Sequence, residues 1–135
     1  MVDNILLNKA QIIERCLQRI HEEYDNHEED FSSNYTKQDS IILNLQRACE
    51  AALDMAQRML KLKKLGLPQN YRDSFVLLQD SGILPEEVSV RMQKMVGFRN
   101  IAIHAYQDIN LAILQNILVH HLNDFKDYIH LILKA

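Results

Sequence analysis

Ile41-Ile42-Leu43-Asn44-Leu45-Gln46-Arg47-Ala48-Cys49-Glu50-Ala51-Ala52-Leu53-Asp54-Met55-Ala56 is the stretch that decides the fold. Ile41, Leu45, Ala48, Ala52, Met55 and Met59 recur in alternating steps of four and three, the spacing of one face of an α-helix. With Ile42, Cys49 and Ala56 alongside, the stripe is wide enough to meet more than one neighbour. Its middle is thin, because Ala48, Cys49, Ala51, Ala52 and Ala56 carry little side chain and let another backbone come close. A helix from about Thr36 to Lys64 follows, ended by Gly66 and Pro68.

The same rhythm repeats on either side. Leu6, Ala10, Ile13, Leu17, Ile20 and Tyr24 form one apolar stripe over about Asp3 to Tyr24. The acidic segment from His21 to Asp30 is then expected to close in a loop at Phe31-Ser32-Ser33-Asn34. A short helix is expected from about Asn70 to Asp80, bounded by Ser81-Gly82. Pro85-Glu86-Glu87 opens the next one, with proline in the first turn and two acids at the positive helix end. From about Asn110 to Leu133, Leu111, Leu114, Leu118, Leu122, Phe125, Ile129 and Ile132 predict one last long helix. Two prolines, three glycines and no tryptophan leave little punctuation for strands and tight turns. An all-α, four- to five-helix antiparallel bundle is expected, as a single domain over residues 1–135.

At 135 residues and 47% hydrophobic content the chain can bury a full core. Cys16 and Cys49 both fall on helical apolar stripes and form no Cys-x-x-Cys pair, so they read as core residues of a reducing compartment. The start Met1-Val2-Asp3-Asn4 has no signal-peptide character, and no apolar run is long enough to span a bilayer, so a cytoplasmic location is expected. A net charge of −3 gives no global pull towards nucleic acid, so any RNA contact must be local. The basic run Arg58, Lys61, Lys63 and Lys64 lies at a helix end, where cations complement the macrodipole.

Polar chemistry concentrates in Gly97-Phe98-Arg99-Asn100-Ile101-Ala102-Ile103-His104-Ala105-Tyr106. Val88, Met92 and Met95 form a stripe whose next member is Arg99, so a guanidinium emerges from a packing face. Guanidinium groups are almost never fully buried unless paired, so that face must open onto a cleft or an interface. His104, five residues on, points about 140° away from Arg99 on a straight helix. Either the helix unwinds between them or a second copy of the chain completes the site.

The pattern Arg-x4-His-x-Tyr, with Asn directly after the Arg, resembles the signature of HEPN domains. In detail it is similar to the HepT branch, small helical ribonuclease toxins whose antitoxin is a minimal nucleotidyltransferase (MNT). The resemblance implies a HEPN-like homodimer with motifs facing each other, in a type VII-like toxin–antitoxin pair. It also implies that the antitoxin transfers AMP from ATP to the motif tyrosine, which here is Tyr106. ATP then belongs to the partner, and this chain needs no cofactor of its own. Cleaving an RNA phosphodiester without a metal takes a group that moves protons near neutral pH and a cation that steadies charge on the phosphorus oxygens. His104 fits the first task as general acid or base, and Arg99 fits the second as a bidentate phosphate clamp. Asn100 is expected to orient substrate or hold the local backbone. The RNA's own 2′-hydroxyl is the expected nucleophile.

Other signals point to no chemistry. The His21 to Asp30 run has no metal-ligand spacing, and no Glu-x-x-His pair occurs in the chain. His120, His121, Asp124, Asp127 and His130 read as surface groups and interhelical hydrogen-bonders, and no metal is expected. Glycine-rich phosphate loops are absent. The competing readings are a non-catalytic nucleotide- or partner-binding subunit of a nucleotidyltransferase complex, and a structural helical adaptor. Both differ from a nuclease in not needing a titrating imidazole at position 104.

Overall fold

The computed structural model describes residues 3–104 and 110–135, with the side chains at 103 and 104 outside that description. Seven helical segments follow in order: α1 (Asn4–Tyr24), α2 (Glu28–Phe31), α3 (Tyr35–Lys63), α4 (Tyr71–Asp80), α5 (Glu86–His104), α6 (Leu111–His120) and α7 (Leu122–Lys134). Four of these helix starts are capped by a side chain. Asp3 caps α1 by accepting from the backbone N–H groups of Ile5 and Leu6, and Asn34, Asn70 and Asn110 cap α3, α4 and α6 in the same way. No helix among the described residues is long and apolar enough to cross a membrane.

α3 is the element the others gather round. α1 lies along it, α5 and α7 close the bundle, and α4 packs across the outer seam between α3 and α5. Ala48, Cys49, Ala51, Ala52 and Ala56 are all buried, as a thin helix middle requires. Neighbours use the space by reaching its backbone or theirs. The Tyr128 hydroxyl of α7 donates to the Ala52 carbonyl at 2.7 Å, and the Cys49 thiol donates to the Met95 carbonyl of α5 at 3.2 Å. Burial pushes both the Cys49 thiol and the Tyr128 phenol up from their ordinary pKa values, which keeps them as neutral donors. Both cysteines are free and buried.

Two boundaries depart from the expectation. The loop expected over Phe31-Ser32-Ser33-Asn34 holds from Ser32 to Asn34, but Phe31 ends a helical turn, Glu28–Phe31. Phe31 is buried edge-on against Tyr24 with ring centroids 5.3 Å apart, and its carbonyl accepts from the buried Gln38 side chain at 2.8 Å. One aromatic in an acidic run is enough to fold that turn onto the core. The last helix also divides, at His121, whose φ of −122° and ψ of 0° interrupt the helix. Asp124 accepts from His121 Nδ1 at 3.1 Å and lies 3.8 Å from Arg91 on α5. Holding this nearly buried carboxylate between an imidazole and a guanidinium fixes the restart of α7. The apolar stripe survives the break, since Leu114, Leu118, Leu122, Phe125, Ile129 and Ile132 are all buried.

At the far end, Lys64 adopts a left-handed conformation (φ 55°) and closes α3 two residues before Gly66. There Arg58 grips Asp3 through two hydrogen bonds, at 3.2 and 2.8 Å. Asp3 therefore caps α1 and ties it to α3. The Arg58 hydrogen bond, with the backbone N–H groups, holds the Asp3 carboxyl below its usual range.

A depressed folded pKa stabilises the folded state above the unfolded value of about 3.9, and the benefit is lost as pH falls through the lower folded value. Asp3→Asn keeps a capping side chain but removes the charge. Its melting temperature should fall below wild type at neutral pH and at pH 5, with the gap closing only once the pH drops below about 4.

Candidate functional site

α5 is helical without interruption from Glu86 to His104. The unwinding alternative for the motif is thereby removed, and on a continuous helix the Arg99 and His104 positions sit about 140° apart. Val88, Met92 and Met95 are buried as the stripe requires, and the side chain of Arg99, its next member, keeps 25% exposure. Positions 97, 100, 101 and 104 share the opposite face by their spacing. The side chain of His104 and all of Tyr106 lie outside the described residues, so the structure does not bring them into the site by contact.

The guanidinium of Arg99 lies between two helices. Its Nη1 donates to Asn100 Oδ1 at 3.0 Å, which turns the fork from its own stripe towards the face of position 104. Its Nε lies 3.5 Å from Glu50 Oε1 on α3. That is a charge contact, because Nε is buried and makes no hydrogen bond. A quarter of the side chain stays open to solvent, and that part of the fork is what an incoming phosphate oxygen can reach. Asn100 thus holds the arginine rather than the backbone alone. Glu50 was not singled out from the sequence, since a contact between α3 and α5 leaves no trace in local spacing. Its one available signal is its position directly after Cys49, at the edge of the thin stretch that α5 approaches.

Gly97 fills a second structural role. A Cβ built there would lie 3.1 Å from the Tyr71 hydroxyl at the start of α4, so the missing side chain lets α4 close on the motif helix. The same hydroxyl accepts from Arg72 Nε at 3.1 Å, and the Arg72 guanidinium stands 5.7 Å from the Tyr71 ring centroid. Tyr71 and Arg72 thereby flank the face that carries Asn100. Among the described residues no three His, Cys, Asp or Glu side chains are grouped so as to hold a metal ion. His121 instead holds Asp124, and His21 contacts Asp25 at 3.1 Å.

The HepT-like family, described as Ribonuclease HepT-like, matches residues 13–132. The chain belongs to this family. It is 44% identical over 131 residues to the mRNA nuclease HepT of Shewanella oneidensis, spanning 97% of this chain and 98% of that one. A solved structure of the tri-AMPylated Shewanella oneidensis HEPN toxin in complex with MNT antitoxin superposes with a TM-score of 0.93 at 43% identity, covering 98% of this chain and 99% of that one. A toxin–antitoxin structure with AMP-PNP superposes with a TM-score of 0.91 at 43% identity, over 96% of this chain and 98% of that one. The HepT-like fold therefore extends over nearly the whole chain, with the Arg-Asn pair of the motif on an unbroken helix.

The Gly97–Tyr71 contact can be read by a double-mutant cycle. Alanine is favoured over glycine inside a helix by about 1 kcal/mol. Gly97→Ala should forfeit that gain in the wild type and recover it when combined with Tyr71→Phe, which removes the obstructing hydroxyl. Urea denaturation should show a coupling between the two of at least about 0.5 kcal/mol.

Proposed function

We propose that this chain is the toxin of a HepT/MNT toxin–antitoxin pair, a metal-independent endoribonuclease that acts in the cytoplasm and is silenced by adenylylation of Tyr106. The observation that carries the proposal is the part-exposed Arg99, held by Asn100 and Glu50 on an unbroken motif helix, in a chain that aligns end to end with an mRNA nuclease. Arg99 receives the scissile phosphate, with Asn100 setting the plane of the fork. His104 moves the proton, taking it from the 2′-hydroxyl or giving it to the departing 5′-oxygen. The 2′-oxygen attacks phosphorus, the bond to the 5′-oxygen breaks, and a cyclic phosphate end is left. These steps use only side chains and the RNA itself, with no metal or cofactor.

On an uninterrupted helix the Arg99 and His104 positions diverge by about 140°, and the Asn100 contact turns the Arg99 fork back by only part of that angle. A second copy supplies what is missing. α6 supports a homodimer: its sequence is apolar on nearly every side, yet Ala112, Ile113 and Val119 stay exposed, as does Ile101 on α5. Helices apolar all round belong in an interior. Pairing two copies across this surface covers it and brings two motifs together.

The MNT antitoxin is the partner that silences this site, as the tri-AMPylated toxin in complex with MNT antitoxin suggests for a chain 43% identical. The Tyr106 oxygen attacks the α-phosphorus of ATP held by the antitoxin, pyrophosphate leaves, and AMP remains on the phenol. Its phosphate then competes for Arg99 and repels the RNA backbone.

Cleavage of mixed RNA in EDTA tests the assignment, with intact mass recorded so that modified protein is not mistaken for inactive protein. Unmodified wild type should cleave, His104→Ala should be inactive, and Asn100→Ala should lose roughly tenfold or more through a loosened clamp. Folded, unmodified wild type that leaves RNA intact, or a fully active His104→Ala, defeats the proposal. With antitoxin and ATP, wild type should gain the mass of AMP and Tyr106→Phe should not.

A further inference from the structure

Along the seam between α1 and α3 the first charges are matched. Asp3 meets Arg58 at 2.8 Å and Lys9 meets Asp54 at 3.1 Å. The matching then stops. Arg15 and Arg19 on α1 and Arg47 on α3 line one open groove of about 620 Å³. All three are exposed, and among the described residues none of them takes part in an ion pair. Arg15 and Arg19 are four residues apart, a spacing at which like charges disfavour a helix. Setting Arg47 across from them adds to the repulsion.

The three guanidinium groups converge on one place. Cys16 forms part of the groove wall; burial raises its thiol pKa, and Arg47, Arg15 and Arg19 each pull it back down. In a chain with a net charge of −3 this is a local concentration of positive charge against the global sign. Planar forks with free donors suit phosphate oxygens, which they can grip in pairs. Leu43 and Ile12 give the groove an apolar wall beside the charges.

One residue links the groove to the motif. Glu50 follows Arg47 by three residues on α3, about 60° round the helix and 4.5 Å along it, and Glu50 is the residue that faces Arg99 Nε at 3.5 Å. Arg47 and Arg99 therefore both lie within about one helical turn of Glu50. We infer that Arg15, Arg19 and Arg47 form a phosphate-binding track that holds the RNA strand outside the cleavage site and leads it to Arg99. The inference rests on the ribonuclease reading and extends it to how an acidic protein captures its substrate. A strand long enough to reach from Arg99 to the groove gains affinity from the track, and that gain falls with salt.

The test measures RNA binding to His104→Ala protein by fluorescence anisotropy over a range of salt, with and without Arg15→Gln, Arg19→Gln and Arg47→Gln together. Exposed side chains tolerate such changes, and a melting curve checks that the fold is kept. Affinity for a long RNA should drop roughly tenfold or more. The slope of log affinity against log salt should shrink by about 2, from three contacts at about 0.7 each. Glutamine at Lys61, Lys63 and Lys64, exposed at the far end of α3, removes the same charge and should change affinity by less than about twofold if position matters more than net charge.

Unchanged affinity and salt slope in the triple arginine variant overturn the track. So does a variant that binds RNA normally but loses the antitoxin, because the groove would then dock an acidic protein surface. Cleavage by wild type in EDTA is scored separately. Protein that binds RNA through the arginines but never cleaves it removes the ribonuclease reading and leaves the track in place.

Discussion

The thin middle of α3 is the constraint from which the rest of the arrangement follows. With Ala48, Cys49, Ala51, Ala52 and Ala56 on its inner and lateral faces, neighbouring helices come close enough for side chains to reach backbone carbonyls. Adding methylene groups to such a contact costs about 1–3 kcal/mol in strain. The functional consequence is one of register. The Cys49 thiol fixes the level of Met95, and Arg99 stands one turn later on the same stripe, opposite Glu50, which directly follows Cys49. The position of the guanidinium is thus set by small residues that have no chemistry of their own. Gly97 does the same from the other side, by admitting α4 to the motif helix.

An arginine at the end of a core stripe would be costly if it were sealed in, since burying a guanidinium needs a full set of acceptors. Arg99 avoids that by stopping at the boundary, with one hydrogen bond to Asn100 and one charge contact to a half-exposed glutamate. Partly exposed ion pairs contribute about 0–1 kcal/mol. Glu50 therefore keeps the fork oriented without holding it so strongly that a phosphate could not take over. A buried, fully hydrogen-bonded partner in its place would fix the arginine as part of the core and remove it from use.

The helices were legible because burial repeats with the helical period, and a stripe of apolar residues needs no knowledge of its neighbours. The two misplaced boundaries were not legible for a related reason. Phe31 sits alone in an acidic run, and its burial depends on Tyr24 and Gln38 from other elements. The break at His121 leaves the stripe intact, and its cause is the grip of Asp124 between His121 and Arg91 of a different helix. The site divides in the same way. Arg99 on a packing stripe and its angular separation from position 104 can be read from spacing alone, whereas Glu50 and Tyr71 require the packing of α3 and α4 on α5. The like-charged pair Arg15 and Arg19 is visible on α1, but its convergence with Arg47 appears only when α1 lies on α3.

A site whose arginine and histidine positions diverge on one rigid helix also bears on how it can be switched off. On the dimeric reading each cleavage centre draws groups from two chains, so neither copy alone is competent, and a modification on one copy disturbs a centre belonging to both. A charged nucleotide suits that arrangement better than a steric plug. Arg99 keeps a quarter of its side chain exposed beside a half-exposed partner, so on the same reading an added phosphate has a place to bind at little cost to the fold. On that reading the property that readies the clamp for an RNA phosphate, partial exposure at a solvent boundary, equally readies it for an AMP phosphate. Activity and its silencing would then depend on the same exposed part of Arg99, and a substitution that engaged it within the protein would remove both.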